Sequence, residues 1–138
     1  EDGIIEYEKC LSSYTVALEN GTYCYCTLDT RQPLEQFLVY AAIEQEKAVM
    51  QAGMDDGEDA DALFFISSLP WITYRSVIQP VPVPADSNPR ITWGKYFTSE
   101  QKVRIPVSLL CHHALVDGVH MSYFYEQLDR KLYEMYKF

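Results

Sequence analysis

Residues 109–124 read LLCHHALVDGVHMSYF. The apolar run that ends in His112 and His113 has the character of a strand, and Asp117-Gly118 marks a turn into the last helix. Beyond it Met121, Phe124, Leu128, Leu132 and Met135 recur on one side of a helix that runs to about Phe138. The stretch therefore joins a strand to a helix, and it holds all three histidines of the chain within nine residues. On a strand neighbouring side chains point to opposite faces, so His112 and His113 are expected to do different jobs. A histidine is a natural general base near neutral pH, while a hydrogen-bonded core histidine is the plainer reading. Asp117 reads as a helix cap, with pairing to an arginine as the alternative. His120 reads as a helix-surface or packing residue.

Upstream, DGIIEYEKC and SSYTVALENGTYCYCTL read as strands, with Glu19-Asn20-Gly21 as a turn. Alternation in TYCYC places Tyr23 and Tyr25 on one face and Cys24 and Cys26 on the other. Thr30 is a candidate cap and Pro33 fits the first turn of a helix to Gly53, with Leu34, Phe37, Leu38, Ala41 and Ala42 as its apolar stripe. The acidic MDDGEDAD reads as an exposed loop. ALFFISSLPWITYRSV is a strand that changes character at Ser67-Ser68 and Pro70. QPVPVPADSNP holds four prolines and cannot be a central strand. RITWGKYF is a strand, TSEQK a turn, and VRIPVSLLCHH an apolar strand. The order β-β-α-β-β-β-α gives an α+β fold: a mixed sheet flanked by helices, in a single domain over 1–138.

Composition narrows the function. Hydrophobic residues make up 48% and charged residues 22% of the 138, which supports a packed core. A net charge of −9 and a pI near 4.7 exclude a broad nucleic-acid-binding face. An anionic small ligand needs a local cluster of cations. No apolar run approaches the length of a membrane span. Cys10, Cys24, Cys26 and Cys111 fit reduced thiols of a cytoplasmic protein. A zinc site from Cys24, Cys26, His112 and His113 is the minor alternative, and no metal is expected.

HHALVDG resembles the H-H-x-x-x-D-G motif of chloramphenicol acetyltransferases and related acyl-CoA-dependent acyltransferases. FFISSLPW at 64–71, TWGKYF at 92–97 and the terminal helix resemble the corresponding segments in the same order. The resemblance covers the whole chain. It implies a two-layer sandwich lacking the family's N-terminal strand and helices, because the chain starts where the family's middle starts. It implies His113 as general base, Ser67 as the donor that stabilises the tetrahedral intermediate, and Thr92 as holder of a nearby water. Asp117 resembles the aspartate that pairs with an arginine, here expected upstream. Trp71, Lys95 and Tyr96 resemble residues along a coenzyme A channel, with Arg75 and Lys102 in neighbouring segments. Tyr23, Cys24, Tyr25 and Cys26 are the expected lining of an apolar, aromatic acceptor pocket. No tightly bound cofactor is implied; acetyl-CoA is a co-substrate and a small hydroxyl-bearing molecule, chloramphenicol among the candidates, the acceptor. Family enzymes are trimers with the site between subunits, so a homotrimer is expected. Leu110 stands where the family commonly has glutamine, and Val119 where an aromatic follows Asp-Gly. The alternative function is a catalytically silent homologue that serves as a binding or assembly module.

Overall fold

In a computed structural model, residues 3–53 and 60–136 are described. Strand β1 (Leu11–Ala17) and β2 (Tyr23–Leu28) form a hairpin, followed by helix α1 (Leu34–Gln51). Next come β3 (Leu63–Leu69), β4 (Arg90–Gly94), β5 (Phe97–Ser99), β6 (Lys102–Arg104), β7 (Val107–Leu110) and helix α2 (Gly118–Met135). Five strands build one sheet in the order β2-β1-β3-β4-β7, and β5 with β6 forms a separate hairpin. β1 and β3 run parallel, as do β3 and β4, whereas the outer pairs β1–β2 and β4–β7 are antiparallel. The fold is α+β.

Parallel neighbours demand long crossovers. The one from β1 to β3 carries β2 and α1. The one from β3 to β4 is the proline-rich segment 70–89, which contains no helix. It is held at one end by Tyr74, whose hydroxyl donates to the Thr92 carbonyl at 2.7 Å. At its other end Asn88 donates to the carbonyls of Ala60 and Leu63 at 2.9 and 2.8 Å.

Alternation sorts the strands into two faces. Tyr14, Cys26, Ile66 and Ile91 share one, and α1 lies against its β2 side, where Tyr14 Oη donates to Gln45 Oε1 at 3.1 Å. Cys24, Cys26, Leu28 and Leu63 are the buried hydrophobic residues among those described. Helix α2 reaches the outer edge of β7 through Tyr125. There Tyr125 Oη accepts from Leu109 N–H at 3.1 Å and donates to the Val107 carbonyl at 3.3 Å. It thereby satisfies backbone groups that an open strand edge leaves unpaired.

Several expectations are corrected. Residues 3–10 form no strand: β1 already has a neighbour on each side, and Ile4 and Ile5 stay in solvent. Helix α1 starts after Pro33 rather than being capped by Thr30, because the residue before a proline is pushed out of the helical region. Before it, Asp29 instead pairs with Arg31. The segment from 63 on stops as a strand at Leu69, ahead of Pro70, which has no N–H to donate. RITWGKYF divides after Gly94, and VRIPVSLLCHH divides at Ile105-Pro106. β7 ends at Leu110, so neither histidine lies on a strand and their opposed-face placement does not hold. Most of the acidic stretch expected as a loop lies outside the described residues. The turns at Asn20-Gly21 and at Glu100-Gln101 form as expected.

Glu100 and Gln101 both take positive φ, 52° and 61°, in the two-residue turn between β5 and β6. That geometry matches the twist of a hairpin but crowds any side chain with a Cβ. Gln101→Gly should therefore raise stability by about 0.5–1 kcal/mol, the relief of crowding exceeding the extra chain entropy of glycine. Urea unfolding of the two chains measures it, and a lower midpoint for the variant would contradict the turn assignment.

Candidate active site

The face opposite α1 carries a row of hydroxyls. Tyr25 is level with Thr15, Ser67 with Thr92, and Thr92 with Ser108. One residue pair back along the strands, Ser13 is level with Phe65, Phe65 with Arg90, and Arg90 with Leu110. The proline-rich crossover runs over this face and leaves a cleft of about 400 Å³, lined by Ser13, Thr15, Tyr25, Phe65, Ser67, Gln79, Pro80, Pro82, Asp86 and Arg90 among others. Thr92 is buried, and its Oγ1 accepts a hydrogen bond from Gln79 Nε2. Ser67 is solvent-exposed at the cleft wall, and its hydroxyl makes no hydrogen bond to a described residue.

At one end of the cleft Arg90 donates to both carboxylate oxygens of Asp86, at 2.7 and 2.6 Å, and lies 5.2 Å from the centre of the Phe65 ring. The guanidinium holds the Asp86 carboxyl below the usual carboxylate range. A positive charge on His112 acts in the same direction, which puts the histidine turn near this end.

Both histidines sit in the turn between β7 and α2, and both are exposed. Their ring nitrogens are used differently. His113 Nδ1 faces the Val116 carbonyl at 3.3 Å. A carbonyl only accepts, so in the neutral ring Nδ1 carries the proton and Nε2 keeps its lone pair. His112 Nδ1 faces the Ala114 N–H at 3.3 Å, which makes Nδ1 the acceptor and leaves the proton on Nε2. The contrast expected between the two histidines is present, but it comes from turn hydrogen bonds. Only His113 presents a free basic nitrogen outward.

Asp117 is the N-cap of α2: its Oδ1 accepts from the N–H groups of Val119 and His120 at 3.0 and 3.2 Å. His120 closes a capping box, with its Nδ1 3.2 Å from the Asp117 N–H and 2.8 Å from Asp117 Oδ1. Its role is thus more definite than surface packing. Neutral, the ring accepts from the backbone; protonated, it pairs with the carboxylate. The recorded ionic partner of Asp117 among the described residues is His120, not an arginine.

Trp71, Lys95 and Tyr96 gather at the other end of β3 and β4. Lys95 N–H donates to the Ile72 carbonyl at 2.7 Å, and Thr73 Oγ1 donates to the Lys95 carbonyl at 2.5 Å. The approach requires glycine at 94, where a Cβ would stand 2.8 Å from the Ile72 oxygen and 2.9 Å from the Tyr74 ring. Trp71 is 80% and Tyr96 66% exposed, so both rings are available to a ligand. Along the strands this trio is separated from the histidine turn by the length of β4, about 13 Å. Neither His113 nor the trio lines the cleft that holds Ser67.

The expected acceptor lining divides by face. Tyr25 lines the cleft, while Tyr23 stands half-exposed 6.3 Å from the Tyr25 ring. Cys24 and Cys26 turn to the other face, 0% and 2% exposed, and belong to the core. β2 and β7 are the two outer strands of the sheet, so the minor zinc reading of these cysteines with the histidines needs groups about 19 Å apart. No metal-binding cluster occurs among the described residues. Sequence reading missed Ser13, Thr15, Gln79, Asp86 and Arg90. The alternation in SSYTV carried the signal for Ser13 and Thr15, on the same face as Tyr25. Gln79 and Asp86 carried none, because their segment is irregular.

The fold, a mixed sheet with a helix against one face, is shared with solved acetyltransferases. A solved chloramphenicol acetyltransferase superposes with a TM-score of 0.70 at 19% identity, covering 90% of this chain and 62% of that one. Dihydrolipoamide acetyltransferase of Azotobacter vinelandii superposes at 0.65 with 22% identity, covering 92% and 55%. The family model for chloramphenicol acetyltransferase matches residues 1–129, and the chain belongs to that family. The enzyme of Clostridium butyricum is 35% identical over 72 residues, 51% of this chain and 33% of that protein. That of Clostridium perfringens is 26% identical over 127 residues, 89% and 61%. The chain thus spans between a third and three fifths of the length of these two relatives.

Two outcomes test the site geometry. Gly94→Ala should cost about 1–3 kcal/mol in urea unfolding, because the added carbon meets backbone at Ile72. A neutral effect would mean that residues 72 and 95 do not meet. The second concerns pH. The His120 N–H, chiefly, holds the Asp117 carboxyl below its usual range. A depressed folded pKa contributes stability that is present above the unfolded value near 3.9 and lost as pH falls through the folded value. Asp117→Asn keeps a capping oxygen without the titration, so the stability gap between parent and variant should shrink as pH drops below about 4. A gap independent of pH from 7 to 2 would remove Asp117 from the cap.

Proposed function

We propose that the chain carries out acetyl-CoA-dependent O-acetylation of a small hydroxyl acceptor, as one acetyltransferase-type unit. The observation that carries this reading is the hydrogen bond of His113 Nδ1 to the Val116 carbonyl, which frees Nε2 for base work. His113 Nε2 removes the acceptor's hydroxyl proton while the oxygen attacks the thioester carbonyl. The tetrahedral oxyanion takes a hydrogen bond from Ser67 Oγ, whose exposed position and lack of a partner among the described residues leave it available. Thr92, its hydroxyl oriented by Gln79, stands level with Ser67 and suits the holding of a water there. Collapse breaks the carbon–sulfur bond and expels coenzyme A thiolate, which the imidazolium of His113 reprotonates. The Azotobacter acetyltransferase was studied for the roles of a serine, a histidine and an asparagine four residues beyond it in its mechanism. Here Ser67 and His113 fit the first two roles, and position 117 is an aspartate that caps α2.

Trp71, Lys95 and Tyr96 suit coenzyme A: two exposed rings for stacking and one cation for phosphate in an acidic chain. Ser67 lines the cleft and His113 does not, so on this reading a second copy brings a histidine turn to the cleft. We take the assembly to be a homotrimer with chloramphenicol as the first acceptor to try.

Thiol release from acetyl-CoA with chloramphenicol tests the mechanism. His113→Ala should abolish it while coenzyme A still binds, and Ser67→Ala should lower the rate on the order of 10²–10³-fold. Retained activity in His113→Ala refutes the assignment. Binding of coenzyme A without transfer by the parent chain would favour a silent binding module. For the channel, Lys95→Ala should weaken coenzyme A binding most at low salt, since an exposed charge is screened as salt rises. Calorimetry that shows equal affinity for both chains at every ionic strength would exclude Lys95.

A further inference from the structure

His113 and His120 hold opposite ends of one peptide group. His113 Nδ1–H donates to the Val116 carbonyl at 3.3 Å, and the Asp117 N–H donates to His120 Nδ1 at 3.2 Å. The Val116 oxygen and the Asp117 nitrogen belong to the same planar amide, so neither end turns without the other. Each hydrogen bond in such a chain polarises the next, so an acceptor at the N–H strengthens the bond at the oxygen. On the histidine side the turn is closed by the Leu115 and Val116 N–H groups, both on the His112 carbonyl. On the helix side the Asp117 carboxylate takes the Val119 and His120 N–H groups. The 116–117 peptide joins the two halves, and His120 is the side chain that accepts from its N–H.

We infer that His120 is a positioning residue for the base: its neutral ring holds the 116–117 peptide, whose carbonyl keeps His113 in the Nδ1–H tautomer, and a proton on His120 releases it. The inference rests on the acyl-transfer reading for the role of His113, and on the hydrogen bonds alone for the coupling. His120 Nδ1 stands between two groups of Asp117 with opposite demands. The N–H needs a lone pair, and Oδ1, 2.8 Å away, needs a proton. A proton on Nδ1 takes the acceptor from the N–H and turns the ring to Oδ1, which already accepts two backbone N–H groups. His120 is exposed, so it exchanges that proton with solvent. Among the described residues Asp117 is the charged side chain that pairs with it. On the other side of the turn a charged His112 acts on Asp86 of the 70–89 crossover, itself paired with Arg90 of β4. The hold exists where His120 is neutral and is lost as pH falls through its titration. Two protons rather than one then switch the base off.

Nitrogen NMR of the isotope-labelled chain reads the tautomer and charge of each histidine ring, followed from about pH 8 to about pH 5. At the upper end the parent should show His113 as the Nδ1–H tautomer. As pH falls its Asp117 amide should follow both the His113 and the His120 rings. His120→Gln supplies an acceptor that takes no proton, the usual partner in a capping box. It should keep the His113 tautomer, with the Asp117 amide following the His113 ring alone. His120→Ala removes the acceptor and should leave His113 a mixture of tautomers. In thiol release His120→Ala should lower the rate on the order of three- to tenfold, the worth of one hydrogen bond, and His120→Gln should restore it. The acid limb of the parent should be steeper than a one-proton fall, and that of His120→Gln should be a one-proton fall. An unchanged His113 tautomer in His120→Ala, an Asp117 amide that ignores the His120 ring, or equal acid limbs in parent and His120→Gln overturns the inference. The two readings fail separately. Thiol release that needs His113, with a tautomer indifferent to His120, removes only His120. A His113 tautomer that depends on His120 in a chain that never releases thiol removes acyl transfer and leaves the coupling in place.

Discussion

The rest of the structure depends on β3 lying parallel to both of its neighbours. A parallel pair cannot be closed by a tight turn, so the chain must cross a face of the sheet twice. The first crossing carries α1 and covers the β2 side of the Tyr14–Cys26–Ile66 face. The second is the segment 70–89, whose prolines forbid a helix and a ladder strand alike. A helix in that place would have packed against the sheet and filled the space. A proline-rich strap touches it at a few polar points, Gln79 on Thr92 and Asn88 on the carbonyls of Ala60 and Leu63, and leaves room between. The cleft is what remains when a parallel crossover is made without a helix.

The same constraint explains what could be read from the sequence. Strands β1 to β4, both helices and the two hairpin turns announce themselves through alternation, helical spacing and turn residues, which are local properties. Asp117 as a cap was legible for that reason. The family motif put Ser67, Thr92 and His113 forward together. The reason for His113 over His112 was not legible, because it lies in Val116 and Ala114, whose side chains say nothing about which ring nitrogen their backbone groups will meet. Residues 3–10 misled because strand composition states a preference, not the availability of a neighbour. The halves of TYCYC were sorted correctly by face, but which face becomes core depends on where α1 packs. Ser13 and Thr15 were marked only by the alternation in SSYTV, and that their face forms the cleft appears only when β1, β3 and the strap stand together.

Charge shows how an acidic chain of net −9 can keep a site for anions. Several cations are held locally by carboxylates: Arg31 by Asp29, Lys47 by Glu44, Arg90 by Asp86, Arg104 by Glu100. The exposed pairs among them add little stability, typically below about 1 kcal/mol each, while Arg90–Asp86 is partly buried. Their effect is on the field: paired cations attract no distant anion. Lys95 makes no ion pair with a described residue, and the close backbone approach at Gly94 ties its backbone to Ile72, next to Trp71 in the chain.

Folding and assembly are linked through the size of the core. Four hydrophobic residues are buried among those described, and two of them are cysteines. On α1, Leu34, Leu38, Val39 and Ile43 stay 48–64% exposed. A sheet with one such helix against its β2 side buries little of its apolar surface, and a chain of this size needs most of that surface covered to be stable. On the acyl-transfer reading the chemistry has the same need, since His113 does not line the cleft that holds Ser67. An association that covers the apolar stripe of α1 or the outer edge near β7 would supply stability and site together. Activity would then rise with protein concentration in step with cooperative unfolding, because both report one equilibrium. A chain whose unfolding midpoint is independent of concentration, yet whose specific activity is not, would separate the two requirements.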